Sequence, residues 1–286
     1  LVRATLGGTR AVRVVTGLRT GRRKLRAVRE AAGLDGVRMF VCGAAPLADE
    51  VFWGFVDLGW PVLEGYGLTE CSPVVAADDP GHPRPGAIGW PVPGVDVRID
   101  RPDAEGNGEI AVRGPNVMLG YFNQPEATAE VLRDGWLFTG DLGRLESDGR
   151  LRITGRLKNM IATAAGKKIY PEEIEAQLAN SPLILEVVVA GGEDARGERE
   201  EVHAHVYPNF TLLEEQARAA HAAFDDTWIE DVLRREIESR CQALAPYKRV
   251  KRVIVRRSEF PKTATGKIRR LNFSAEPTAA RGRAVA

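Results

Sequence analysis

Nine of the fifteen residues from 80 to 94 are glycine or proline: Pro80, Gly81, Pro83, Pro85, Gly86, Gly89, Pro91, Pro93 and Gly94. Proline lacks a backbone donor and fixes φ, while glycine opens the left-handed region, so neither a helix nor a central strand passes through such a stretch. The chain cannot be one continuous layer, and the segments on either side are read separately. Before the stretch, residues 37–42 read as a short buried strand running into the tight turn Gly43-Ala44-Ala45-Pro46. Residues 48–58 read as a helix, and 61–63 as a second strand ending in Glu64-Gly65-Tyr66-Gly67. Strand, helix, strand is an α/β layer, and ligands of such layers sit at the strand ends.

After the stretch, 95–99 and 108–113 read as short alternating strands, 125–132 as a short helix opened by Pro125, and Asp148-Gly149-Arg150 as a hairpin turn. These predict a small antiparallel β subdomain. Beyond Gly155 the texture changes again. Pro171 opens a helix with Glu172, Glu173 and Glu175 in its first turns and with Ile174 and Leu178 four apart. Residues 185–190, 202–207 and 250–255 read as strands, 227–244 as an amphipathic helix, and 209–226 as a polar loop or surface helix. The expected fold class is α/β plus α+β, with a boundary near 155–159.

Composition excludes several classes. The 286 residues suit about two domains. With 44% apolar and 28% charged residues the chain is neither disordered nor a coiled coil. Forty basic residues against 39 acidic ones argue against a whole-chain nucleic-acid or membrane-surface binder. The basic stretch 10–30 has no interleaved aromatic residues and reads as a solvated helix face. The longest apolar runs, such as Val187-Val188-Val189-Ala190, are too short for a transmembrane helix, and no signal-peptide pattern opens the chain. Three separated cysteines build no disulfide framework or metal knuckle and suit a reducing cytoplasm. Arginines outnumber lysines 32 to 8, yet Lys158, Lys167, Lys168, Lys262 and Lys267 all fall in the segments singled out below.

Three segments could carry chemistry. Tyr66-Gly67-Leu68-Thr69-Glu70 offers a ring face, a hydroxyl and a carboxylate, suited to a base, a phosphate and a magnesium ion. Thr139-Gly140-Asp141, between an aromatic strand and a further strand, offers a carboxylate to a diol. Alone, each is equally an ordinary turn. Pro261-Lys262-Thr263-Ala264-Thr265-Gly266-Lys267 is not a phosphate loop, because Pro261 stands where the first glycine belongs and Ile268 follows the lysine. It reads as a mobile loop presenting one ammonium group, or as a solvated basic tail. His203 and His205 share a strand face, for which packing or solvation is a simpler account than metal binding.

In order, these segments resemble the adenylate-forming superfamily of acyl-CoA synthetases, luciferases and peptide-synthetase adenylation domains. The resemblance runs from about 37 to 271. It rests on Gly-Ala-Ala-Pro at 43–46, Tyr-Gly-Leu-Thr-Glu at 66–70, Gly114-Pro115-Asn116-Val117-Met118 with Gly120-Tyr121 and Pro125-Glu126-Ala127-Thr128, Thr-Gly-Asp at 139–141, Gly155-Arg156 with Lys158-Asn159, Tyr170-Pro171-Glu172-Glu173-Ile174-Glu175, and the 261–267 loop. Ser72-Pro73 after the second segment, and Leu244-Ala245-Pro246-Tyr247-Lys248-Arg249, look most like long-chain fatty acid–CoA ligases.

The resemblance implies activation of a carboxylic acid with ATP and magnesium to an acyl-adenylate, then transfer to coenzyme A. Gly43, Ala44 and Ala45 would border the adenine, Tyr66 would stack on it, and Gly67 would belong to the same nucleotide site. Thr69 would contact phosphate, Glu70 magnesium, Asp141 the ribose, and Arg156 the nucleotide. Lys267 would be the catalytic lysine of the first step, Lys158 the hinge of a mobile C-terminal domain, and Ala164, Ala165 and Gly166 the loop at the pantetheine tunnel. It implies a partial α/β nucleotide-binding subdomain over 1–90, a β-rich subdomain over 91–154 and an α+β domain over 155–286. Expected partners are a fatty or related carboxylic acid and coenzyme A, without nucleic acid, in the cytoplasm and with room for peripheral membrane contact. The family's Ser/Thr/Gly-rich phosphate loop does not occur in the sequence, and the chain starts at Leu1, so an N-terminally truncated chain is expected. Ala165 stands where the family has the first of two glycines, which bears on the thioester step. The rival readings are an acyl-AMP ligase, a peptide-synthetase-type adenylation domain, or a catalytically silent fragment.

Overall fold

A computed structural model describes residues 10–11, 24–43, 47–79, 81–82, 84–163, 166–193, 200–263 and 266–270. The chain forms two compact units, Leu1–Thr154 and Gly155–Ala286. The architecture is mixed α/β and α+β, with several small sheets and short helices.

In the first unit, α1 (Arg26–Ala31), β1 (Phe40–Gly43), α2 (Asp49–Leu58), β2 (Val62–Gly67), β3 (Val74–Ala77) and β4 (Trp90–Pro91) come in that order. Strand β1 pairs β2 in parallel, and β3 and β4 add antiparallel. Helix α2 buries Phe52 and Val56 against Val62, which fixes the strand–helix–strand layer. Strand β2 runs on to Gly67 rather than stopping at residue 63, as the sequence suggested. Gly65 marks close backbone approach and not a turn: it lies between Gly43 and Ala77, and a Cβ on Gly43 would sit 3.2 Å from its carbonyl oxygen.

The glycine- and proline-rich stretch does contribute a strand, the two-residue β4, and it lies at the end of the sheet order where proline is tolerated. It is pinned from outside. The Trp90 indole donates to the Asp148 carbonyl at 2.9 Å, and the Arg150 guanidinium lies 4.3 Å from the Trp90 ring centroid. A second sheet follows from β5 (Asp96–Asp100), β6 (Gly108–Arg113), β7 (Leu132–Arg133), β8 (Trp136–Leu145) and β9 (Leu151–Arg156), with α3 (Pro125–Val131) before β7. Ile110, Val112, Leu137 and Leu151 form its core with Val75 and Cys71.

The second unit contains the hairpin β10 (Ile161–Ala162) and β11 (Lys168–Ile169), then α4 (Pro171–Leu178), β12 (Ile184–Glu193), β13 (Glu200–Pro208), α5 (Phe210–Ala219), α6 (Asp226–Arg240) and β14 (Arg252–Val255). Strand β13 is central, antiparallel to β12 and parallel to β14. Ile174, Leu178, Leu213, Ile229, Leu233 and Ile237 from the helices cover this sheet. The 209–226 region thus holds a true amphipathic helix. Asn209 caps it through the Leu212 amide at 3.2 Å, and Leu213 and Ala217 face the core.

His203 and His205 lie buried on β13. The His203 ring fills the space above Gly192, where a Cβ would meet Nδ1 at 2.1 Å. The described residues contain no group of three His, Cys, Asp or Glu able to hold a metal. No described helix is long and apolar enough to cross a membrane.

Candidate functional site

The first unit brings Tyr66 and Asp141 together. Tyr66 sits near the end of β2, and its hydroxyl donates to Asp141 Oδ2 at 2.8 Å. Burial and the neighbouring carboxylate both push the Tyr66 phenol well above its ordinary range, so it is a fixed donor and not a base. Asp141 is buried and belongs to β8 itself, a correction to its expected place between two strands. Gly140 makes this possible. Its φ of +70° and an irregular register opposite Glu109 and Ala111 kink the strand, while its amide donates to Glu109 Oε1 at 2.9 Å. Thr139 turns its hydroxyl back to the Ile110 carbonyl at 2.9 Å and accepts the Asp141 amide at 3.1 Å.

Past Tyr66 the backbone turns sharply. A Cβ on Gly67 would lie 1.9 Å from the Pro73 carbonyl oxygen, and the Leu68 amide donates to that same oxygen at 2.9 Å. The single 3-10 turn Thr69–Cys71 follows, with Thr69 exposed and Glu70 half-buried. Asn116 holds this turn closed by donating to the carbonyls of Cys71 at 3.1 Å and Val74 at 2.9 Å. Tyr121 donates its hydroxyl to Glu70 Oε1 at 2.9 Å. Both residues lie in segments that carried the family resemblance, yet neither was assigned a role from sequence. Two positions before Tyr66 in β2, buried Glu64 accepts the Gly86 amide at 2.9 Å, and desolvation pushes its carboxyl above the usual carboxylate range.

Among the described residues, Glu70 belongs to no group of three acidic, histidine or cysteine side chains able to cage a metal. That suits magnesium, which takes one or two carboxylates together with substrate phosphates and keeps its waters. Gly43 ends β1 beside Gly65. Ala44 and Ala45 lie outside the described residues, as do Ala164 and Ala165.

The other candidates belong to the second unit. Arg156, at the end of β9, is exposed, as is Lys158 in the 3-10 turn Leu157–Asn159. Two lysine-bearing turns are built alike. In Thr163–Lys167 the Thr163 amide donates to the Lys167 carbonyl at 3.0 Å, the Gly166 amide to the Thr163 carbonyl at 2.8 Å, and the Lys167 amide to Thr163 Oγ1 at 3.0 Å. The same three bonds close Thr263–Lys267 at 2.8, 2.9 and 3.1 Å. Gly166 and Gly266 both take positive φ, +71° and +79°. Lys267 is therefore presented from a closed hairpin turn and stands exposed.

Residues 9–122 match the family described as AMP-binding enzyme, and 173–267 the one described as AMP-binding enzyme C-terminal domain. The chain belongs to this adenylate-forming family. A long-chain-fatty-acid–CoA ligase of Bacillus subtilis (strain 168) is 41% identical over 254 residues, spanning 86% of this chain and 42% of that relative. A feruloyl-CoA synthase of an Amycolatopsis species is 41% identical over 172 residues, spanning 58% of this chain and 35% of that one. Among solved structures, the O-succinylbenzoate coenzyme A synthetase of Bacillus subtilis, in complex with ATP and magnesium ion, superposes with a TM-score of 0.66 at 27% identity, covering 86% of this chain and 48% of that one. The chain thus spans less than half the length of these relatives.

Proposed function

We propose that the chain carries the nucleotide-binding and catalytic-lysine parts of an AMP-forming acid–CoA ligase, acting on long-chain fatty acids. The reading is supported chiefly by the Tyr66–Asp141 contact, which joins the Tyr-Gly-Leu-Thr-Glu and Thr-Gly-Asp segments into one place. There the Tyr66 ring, with Gly67 beside it, lies against adenine, whose edge meets Gly43, Ala44 and Ala45. Asp141 takes the ribose hydroxyls, Thr69 takes phosphate, Arg156 reaches the nucleotide, and Glu70 holds magnesium. Magnesium neutralises phosphate charge when bound.

In the first step a carboxylate oxygen attacks the α-phosphorus, the bond to the β-phosphate oxygen breaks, and pyrophosphate leaves. Lys267 brings its ammonium to both anions, offsetting the repulsion that opposes the attack. In the second step the coenzyme A thiol gives its proton to solvent, its sulfur bonds the acyl carbon, and the acyl carbon–phosphate oxygen bond breaks to release AMP. Rotation of the second unit about Lys158 withdraws Lys267 and brings the Ala164, Ala165 and Gly166 loop to the pantetheine. The cytoplasm supplies ATP and reduced coenzyme A, and the free thiols of Cys42, Cys71 and Cys241 suit it.

The test is acid-dependent ATP–pyrophosphate exchange by the chain, with fatty, aromatic and amino acids side by side. Exchange with long-chain fatty acids supports the reading. Preference for an aromatic acid shifts the substrate toward that of the feruloyl-CoA relative, and silence with every acid contradicts activity of this chain. In an active protein, Lys267→Ala should abolish exchange yet spare thioester formation from supplied acyl-adenylate. Equal loss of both contradicts the role of Lys267.

A further inference from the structure

The turn that presents Lys267 fixes only its own backbone, so something must hold the turn to the domain. Its two stems are fastened by different ion pairs. On the entering side Lys262 bridges to Ile268 across the hairpin, and its ammonium contacts Glu186 of β12 and Glu259. Glu186 also accepts the Phe260 amide at 2.8 Å, and Phe260 packs with Val188 and Ile268. On the leaving side the Arg269 amide donates to the Pro261 carbonyl at 2.7 Å. The next residue, Arg270, reaches back into the domain. Its Nη1 donates to the Val189 carbonyl of β12 at 3.1 Å, and its Nη2 donates to Glu175 Oε2 of α4.

Glu175 is committed to this contact. Its Oε1 accepts the Val189 amide at 2.6 Å, so one carboxylate and one guanidinium together close both polar groups of Val189. The pair is largely out of water, with side-chain exposures of 26% for Arg270 and 17% for Glu175. The same guanidinium lies 3.6 Å from Glu172, whose Oε1 accepts from the Asn159 side-chain Nδ2 at 2.6 Å. Asn159 is the neighbour of the hinge candidate Lys158. One arginine thus joins the end of the lysine loop to Glu172 and Glu175 of α4, and Glu172 in turn holds the residue beside the hinge.

We propose that Arg270 is a positioning residue for Lys267, a clamp that locks the base of the 261–269 hairpin to Val189 and Glu175. The catalytic meaning of the clamp rests on the proposed role of Lys267, but the clamp itself does not. A planar fork with five donors can satisfy the Val189 carbonyl and Glu175 at once, whereas an ammonium is a single mobile point. Only Ile268 and Arg269 separate the clamp from Lys267, so little slack remains between a fixed base and the presented ammonium.

The deciding experiment is backbone hydrogen exchange on the 286-residue chain as wild type, Arg270→Gln, Arg270→Lys and Glu175→Gln. Arg270→Gln should speed exchange of the Thr263, Gly266 and Arg269 amides by about tenfold or more. Arg270→Lys should fall between wild type and Arg270→Gln, and Glu175→Gln should loosen the same amides. The look-alike turn at 163–167 is the internal control and should keep its rate, as should α6. Unchanged loop amides in Arg270→Gln overturn the clamp, and so does equal acceleration everywhere, which would make Arg270 a support of the whole unit. In a protein active in pyrophosphate exchange, Arg270→Gln should lower kcat with the KM for ATP unchanged, Arg270→Lys should restore part of it, and thioester formation from acyl-adenylate should persist. Equal loss in both half-reactions also overturns the positioning role. A wild type silent in exchange refutes the functional reading alone, since the exchange rates of the amides still decide the clamp.

Discussion

The Tyr66 hydroxyl meets the Asp141 carboxylate across 2.8 Å, although 75 positions separate them in the chain. Tyr66→Phe keeps the ring and removes the donor, taking one hydrogen bond from a buried carboxylate. Stability should fall by about 1–3 kcal/mol, read as a lower denaturant midpoint at unchanged slope. Asp141→Ala removes the proposed ribose contacts as well. Calorimetric titration with AMP should therefore show a larger loss of affinity for Asp141→Ala than for Tyr66→Phe. Equal losses would mean that Asp141 does not touch the ribose.

Glu70 and Tyr121 make a second such pair, at 2.9 Å. Glu70→Gln retains an acceptor for the Tyr121 hydroxyl but loses the charge that magnesium needs. The magnesium concentration for half-maximal ATP binding should rise about tenfold, while Tyr121→Phe, which spares the charge, should shift it less. A magnesium titration of ATP binding checks this. The same midpoint in wild type and Glu70→Gln removes Glu70 from the metal site.

Two glycines should respond to alanine with opposite signs. At Gly67 the added Cβ would collide with the Pro73 carbonyl oxygen at 1.9 Å, so the turn must open and about 2 kcal/mol or more of stability should go. At Gly54, inside α2, the new methyl meets nothing within 4 Å. There alanine should add about 0.5–1 kcal/mol by lowering the entropy of the unfolded chain and favouring helix. Thermal unfolding of both variants tests the pair.

Local patterns made much of this molecule legible. Pro171 opens α4 and Asp148-Gly149-Arg150 joins β8 to β9, because a helix start and a hairpin turn depend on a few adjacent residues. What was hidden depends on distant partners. Glu172, Glu173 and Glu175 read as favourable charges at a helix start, yet each has its own assignment: Asn159, Lys248 and Arg270. Nothing in the spacing of those glutamates points 75 or 95 positions ahead. Gly140 looked like a turn because glycine signals both turns and bulges, and only the pairing of β8 with β6 separates the two. Asn116 and Tyr121 were visible only as matching letters, since their work is to close a turn about 45 to 51 residues upstream.

His203 sets an acid limit on the second unit. It sits on the central strand β13 opposite Ala190 and Arg252, and burial, followed by the Arg252 charge, pulls its pKa down from 6.5 to about 4. In the folded state the imidazole thus stays neutral down to about pH 4, whereas in the unfolded chain it takes a proton below about 6.5. Between those values the unfolded state binds more protons, so stability falls as pH falls. The full contribution is about 3 kcal/mol, lost progressively from pH 6.5 to 4 and constant above that window. His203→Gln cannot titrate, so its stability should decline less steeply with acid across this range, whatever its stability at pH 7. Denaturant unfolding at half-unit steps from pH 7.5 to about 4 compares the two proteins. Parallel curves would mean that the folded chain protonates His203 as readily as the unfolded one, and that the sheet opens around it.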